Sequence, residues 1–211
     1  MALLIRWLTI QTLFSAGAHD AEAVARQVTQ LEFSGIFVDC NAIAPEKSRQ
    51  MAEKFGSQNY VDDGIVGGPA WKSESGTRLY LSGERSKEMT ALFDNYPLET
   101  NIILGEIGAA SAMKMVSSAY TKGTTALLAA ILGVAEKEGV RNILESQWGQ
   151  AFTEQTHQRI IGNAAKAWRF EGEMREIGPP LRTLVFRAAS TPLLLRSLSS
   201  SLSSRTNLRQ T

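Results

Sequence analysis

The segment LGEIGAASAMKMVSSAYTKGTTALLAAIL, which starts at Leu104, separates two kinds of pattern in this chain. Ahead of it, short β-rich runs alternate with amphipathic stretches; behind it, the periodic stretches are helical alone. GIFVDCN, NYVDDGIVGGPAW, GTRLYLSG and TNIILG have the residues of strands. DAEAVARQVTQL, APEKSRQMAEKFG and ERSKEMTALFDNY repeat apolar positions at helical spacing. The second of these has Pro45 in its first turn and Gly56 just past its end. Strands alternating with helices predict an α/β fold, with the sheet layer over about residues 1–104. Over 105–176 the pattern predicts an all-α domain, with helices at Ala109–Lys137, Val140–Gln147, Thr153–Ile161 and Ala164–Glu176. No proline interrupts the first of these, so one central helix roughly 45 Å long is expected at about 1.5 Å per residue.

Composition narrows the function classes. The chain has 211 residues, 44% hydrophobic and 20% charged, which is enough for one sizeable globular domain or two small ones. A net charge of +1 gives no reason to expect nucleic acid or an anionic membrane as partner. The single cysteine, Cys40, excludes an internal disulfide and suits a reducing compartment, so a cytoplasmic location is expected. Two histidines and one cysteine, far apart, do not make a soft-ligand metal cage. Trp71, Trp148 and Trp168 read as packing anchors.

Both ends need separate treatment. In MALLIRWLTIQTLFSAGA, Arg6 interrupts the apolar run, although Ala16-Gly17-Ala18 resembles a small-residue cleavage site. The run is too short to span a bilayer, and a buried strand is the expected reading ahead of a signal segment. Residues 177–211 carry five arginines, seven serines and no acid, leaving the remainder with 17 basic against 21 acidic residues. A tail of such low complexity is expected to be disordered.

Three features bear on chemistry. Lys114 stands near the start of the apolar helix, and Ala110, Ser111, Ser117, Ser118, Thr121, Lys122 and Thr125 share its face. A polar seam of this kind suggests a wet side toward a cleft. On composition alone two readings stay open: a lysine snorkelling over packed surface, or a partly buried amine whose lowered pKa suits it to acid–base work. Gly67-Gly68 follows a strand, where paired glycines either form an ordinary turn or let backbone N–H groups approach a carboxylate. Asn41 and Pro45 follow the strand IFVDC, at the edge where open α/β sheets bind ligands. His19 and His157 have no partner at useful spacing, Cys40 has no base, and a G-x-G-x-x-G turn is absent.

In this order, the motifs resemble the β-hydroxyacid dehydrogenases, the group of 3-hydroxyisobutyrate dehydrogenase and 6-phosphogluconate dehydrogenase. VDCNAIAPE is similar to the family's strand with a short polar motif and proline, VDDGIVGGP to its substrate-binding segment, and GEIGAASAMKMVSS to its glycine-led helix with the catalytic lysine. SAYTKGTTALLAAIL, ESQWGQ and AKAWRFEGEM resemble a 6-phosphogluconate-dehydrogenase-like branch with a poorly characterised helical C-terminal domain. The resemblance covers roughly residues 14–176. It implies an incomplete Rossmann-like sheet domain, then an all-α domain on a long central helix, with NAD or NADP as cofactor. It implies hydride transfer between nicotinamide and a small hydroxy acid, and a homodimer paired through the helical domain. Lys114 would be the general acid and base, Gly67 and Gly68 would hold the substrate carboxylate, and Asn41 would lie near the cofactor. Ser118 stands where the family has a substrate-orienting asparagine, and Val66 where it commonly has serine. The family's opening strand, glycine-rich turn and helix are not matched, so the chain is expected to be a truncated middle portion. A non-catalytic remnant that oligomerises or binds a partner is the alternative.

Overall fold

The computed structural model describes residues 12–15, 20–70, 75–164 and 173–178. The chain forms two compact units, Met1–Glu176 and Ile177–Thr211, and the description below concerns the first. His19, Trp71 and Trp168, and the expected disorder of the tail, lie outside the described residues.

Five strands form one sheet in their order along the chain: β1 (Thr12–Ser15), β2 (Ile36–Asp39), β3 (Tyr60–Val66), β4 (Arg78–Ser82) and β5 (Glu99–Ile102). β1, β2 and β3 run parallel, β4 is antiparallel to β3, and β5 is parallel to β4. Parallel neighbours need a crossover: α1 (Ala21–Gln30) lies between β1 and β2, α2 (Pro45–Phe55) between β2 and β3, and a shorter helix between β4 and β5. The reversal from β3 to β4 needs none. The N-terminal apolar run thus contributes a strand, over 12–15. In α2, Pro45 opens the first turn and Gly56 ends the helix at φ 80°, as the sequence predicts.

Alternation sorts the strand side chains between two faces. Phe37 and Tyr60 pack with Ala21, Ala25, Val28, Met51 and Ala52 of α1 and α2. Phe37 stacks on Phe55 with ring centroids 4.4 Å apart, and such a ring contributes about 1.5–3 kcal/mol by leaving water. The other face joins Ile36, Val38, Val61, Leu79 and Leu81 to Met89. Met89 belongs to α3 (Ser86–Thr90), which is much shorter than ERSKEMTALFDNY suggests. Thr90 Oγ1 turns back onto the Lys87 carbonyl at 2.9 Å. This local bond competes with helix continuation, and turns lead on to Pro97.

The long apolar segment is one helical run that is not uniform. α4 (Ala109–Ser118) passes into a π-helical turn (Ala119–Gly123) and then α5 (Thr124–Lys137). The unbroken α-helix expected there is therefore interrupted by a wider turn. α6 (Arg141–Trp148) and α7 (Gln150–Ala164) fold back beside α5. Gly139 and Gly149, at φ 69° and 78°, make the reversals that residues with a Cβ adopt only under strain. His157 meets Glu145 at 2.9 Å, and Arg141 meets the same carboxylate. Of the helix expected over Ala164–Glu176, most lies outside the described residues, and helical structure resumes at 173. No helix among the described residues is long and apolar enough to cross a membrane.

Candidate functional site

The site is built around a carboxylate that fixes where α4 begins. Asp62, fully buried in β3, accepts Ser48 Oγ at 2.8 Å, Ser82 Oγ at 2.9 Å, the Gly108 N–H at 2.9 Å and the Ser111 N–H at 3.0 Å. Ser111 Oγ also donates to it. The first N–H groups of a helix have no partner within the helix, and a carboxylate there also meets the positive end of the dipole. Ser82 Oγ takes the Ala110 N–H at 3.1 Å, which completes the cap from the neighbouring strand. Gly108 is left-handed at φ 96°, and a Cβ there would come within 2.7 Å of Arg49 and 3.0 Å of the Pro45 carbonyl. This is why the helix is led by a glycine.

Gly64 sets how close that helix lies. A Cβ at Gly64 would stand 2.5 Å from the Ala110 carbonyl oxygen and 3.1 Å from Lys114 Cβ. With no side chain in between, α4 rests directly on β3, and Lys114 Nζ donates to the Ile65 carbonyl at 2.6 Å. The amine is thus drawn to the carboxyl end of β3. Burial lowers its pKa; the Glu173 charge opposes that shift and the Lys122 charge adds to it. An amine so placed gives up its proton more readily than an exposed lysine.

One turn further, Ser118 is buried and its Oγ donates to Glu173 Oε2 at 3.0 Å. Lys122, in the π-helical turn, donates to the same oxygen. Burial pushes the Glu173 carboxyl up, but the Lys122 hydrogen bond and the charges of Lys114 and Lys122 hold it below its ordinary value. Glu176, one helical turn on, takes the Ala44 N–H at 3.0 Å and Lys47 Nζ at 2.6 Å. Polar side chains along α4 and the turn after it are thus met by a second element.

At the edge of β2, Asn41 is buried with its backbone and side-chain amides on Asp39 Oδ1. Tyr60 OH donates to Asp39 Oδ2 at 2.8 Å and lies 3.2 Å from Ser48 Oγ. Burial raises the Asp39 carboxyl and, together with the Asp39 charge, the Tyr60 hydroxyl. Asn41, Asp39, Tyr60, Ser48 and Asp62 thus form one buried chain of hydrogen bonds that ends at the start of α4. Gly67 has φ 137°, and a Cβ there would meet Thr77 at 2.8 Å; the Gly68 carbonyl accepts Thr77 Oγ1 at 2.7 Å. A Cβ at Gly68 would meet nothing within 4 Å, so packing does not demand a glycine there.

The opposite face carries a different carboxylate. Asp63 is fully buried, accepts Cys40 Sγ at 3.3 Å, and leaves Oδ1 without a hydrogen-bond partner. Burial, reinforced by the charges of Asp62 and Asp39, pushes its pKa up to about 8. Burial likewise pushes the Cys40 thiol up. Cys40 is half-buried beside an acid, and a thiol with a raised pKa is a poor nucleophile. No cluster of three or more His, Cys, Asp or Glu able to hold a metal occurs among the described residues.

Asp62, Gly64 and Glu173 were not singled out by the sequence. A glycine inside a strand signals close backbone approach, so Gly64 was accessible to that reasoning. Glu173 lies 55 residues from Ser118 and carried no local signal.

No family model matches the chain. A solved structure described as the conserved protein MTH1747, of unknown function and structurally similar to 3-hydroxyacid dehydrogenases, is 30% identical at a TM-score of 0.60, over 79% of this chain and 65% of that one. An uncharacterized 28.5 kDa protein of Methanothermus fervidus is 27% identical over 147 residues, 68% of this chain and 57% of that protein. A structure described as Psf3 in complex with NADP+ and 2-OPP shares the fold at 18% identity and a TM-score of 0.50, over 74% of this chain and 61% of that one. The chain therefore has the fold of 3-hydroxyacid dehydrogenase-like proteins, and it spans less than two thirds of each of these relatives.

Proposed function

We propose that this chain carries the catalytic helix and substrate-facing sheet edge of an NAD(P)-dependent oxidoreductase that interconverts a small hydroxy acid and its oxo form. The observation that supports this most is the placement of Lys114. A half-buried amine with a lowered pKa is held at the carboxyl end of β3 by its bond to the Ile65 carbonyl, on a helix anchored from below by Asp62. General acid–base work needs a proton donor fixed within hydrogen-bond reach of the reacting oxygen. Lys114 Nζ donates that proton to the carbonyl oxygen during reduction and takes it back from the hydroxyl during oxidation.

The residues at this edge fit the nicotinamide and substrate end of such a cofactor. Gly68 leaves open space before its backbone, Gly67 reaches a backbone shape suited to glycine, and Asn41 is held rigidly by Asp39. Bound there, the nicotinamide would supply or accept the hydride. Gly67 and Gly68 orient the substrate carboxylate, Ser118 lies one turn beyond the lysine, and Asn41 borders the cofactor. The sheet layer, 1–104, carries the cofactor side together with Gly67 and Gly68, and the helical part, 105–176, brings Lys114 and Ser118 to it. Leu127, Val134, Ile143 and Ile161 on α5–α7 are exposed and apolar, which supports pairing of the helical part with a second copy.

Lys114→Met tests the reading. Turnover of hydroxy acids with NAD or NADP should fall by about 10²–10⁴-fold, while cofactor affinity, read from nicotinamide fluorescence, should stay nearly unchanged. Undiminished turnover in that variant would refute the role.

A further inference from the structure

The Lys122 and Ser118 side chains converge on one oxygen of Glu173, beside the amine assigned above to proton transfer. Three observations set this apart from an ordinary surface ion pair. First, it is sheltered: Lys122 and Glu173 side chains are 17% and 20% exposed, and Ser118 is buried. Second, Lys122 lies in the π-helical turn, Ala119–Gly123. Such wider turns recur at functional sites because they re-aim side chains that a regular helix would point elsewhere. Third, the carboxylate comes from a different element that is itself anchored. Glu176 anchors the same helical turn at the start of α2, on the Ala44 N–H and Lys47.

A hydroxyl and an ammonium aimed at one oxygen make a donor set for any carboxylate, because charge-assisted hydrogen bonds recognise the anion and not the backbone behind it. Glu173 belongs to the chain, so it reaches the seat at high effective concentration. We propose that Ser118 and Lys122 form a carboxylate-binding seat next to Lys114, which Glu173 fills in the free chain and which a small ligand carboxylate takes by displacing it. Ligand affinity is then reduced by the fraction of time Glu173 holds the seat. If the dehydrogenase reading holds, the natural occupant is a second acidic group of the ligand, the first being oriented by Gly67 and Gly68; the seat itself depends only on these side chains.

Refilling the seat from solution tests this without turnover. The full chain with Glu173→Ala should melt lower than wild type, and sodium acetate should raise its melting temperature well above the effect of sodium chloride at equal ionic strength. Wild type should show no acetate-specific rise, and neither should the Glu173→Ala, Lys122→Met double variant. An equal acetate response in wild type, no response in Glu173→Ala, or a response that survives Lys122→Met would each overturn the proposal. Should Glu173→Ala fail to fold, Glu173→Gln takes its place in calorimetric titration with acetate. At least tenfold tighter binding than wild type is expected, and equal affinity would overturn it. Because neither readout involves hydride transfer, a chain that binds acetate here but oxidises no hydroxy acid would sink the dehydrogenase reading alone.

Discussion

The two faces of the sheet treat adjacent carboxylates in opposite ways. Asp62 points toward α4 and receives five donors, two of them backbone N–H groups at the helix start. Asp63 points into the apolar face beside Cys40 with one oxygen unpartnered. Both are fully buried, so depth does not distinguish them. Donor supply does: burying a polar group without a hydrogen bond costs free energy. The α4 side surrounds Asp62 with donors, and the Cys40 side leaves one Asp63 oxygen without any.

Asp62→Ala should break this contrast most severely. It strands Ser48, Ser82 and Ser111 hydroxyls and the Gly108 and Ser111 N–H groups in the interior, and should cost roughly 3–5 kcal/mol, or folding altogether. Urea unfolding reads the loss. A cost below about 1 kcal/mol would mean that the network holds nothing together.

Asp63→Asn should act in the reverse direction. Its folded pKa, about 8, lies above the unfolded value, so its contribution is full below the ordinary carboxylate pKa and is lost as pH rises through 8. Wild-type stability should fall between pH 5 and pH 8 with a slope approaching roughly 1.4 kcal/mol per pH unit from this group. The asparagine variant should flatten that slope and be the more stable protein at pH 9, by on the order of a few kcal/mol. Thermal melts across this range decide it. Parallel curves for the two proteins would show that Asp63 ionises without penalty.

Gly64→Ala sharpens the comparison on the helix side. Its methyl must displace the Ala110 carbonyl at 2.5 Å, lifting α4 from β3 at a cost of about 1–3 kcal/mol. If Lys114 is catalytic, turnover should fall more than stability alone explains, because the amine moves with the helix. The smallest effect belongs to the rim, where Arg85 and Glu88 pair at 2.6 Å in the open. Arg85→Ala should leave the melting temperature unchanged within error.

Much of this was readable from the residues. Alternating β-rich and amphipathic runs gave the order of strands and helices through β5, and Pro45 and Gly56 bracketed α2 where it stands. The polar seam on α4 and the lysine within it were visible as helical spacing, because that arithmetic needs no knowledge of neighbours. What covers the seam was not visible. Glu173 arrives from beyond α7, and local periodicity says nothing about contacts at such separation. The division of labour between Asp62 and Asp63 also needed the sheet: two acids in succession look alike until the strand sends them to opposite faces. The wider turn after Ser118 was hidden because small and polar residues continue at the same density through it.

That turn has a mechanical consequence. Each residue of a regular α-helix advances the direction of its side chain by about 100°, so a stretch that closes its hydrogen bonds one residue late shifts the phase of everything after it. α4 takes its orientation from the strand beneath, while α5 answers to α6 and α7. The π-helical turn sets the offset between two phases. The faces that α5 turns to α6 and α7 need not be in step with the one that holds Lys114 at the edge of β3.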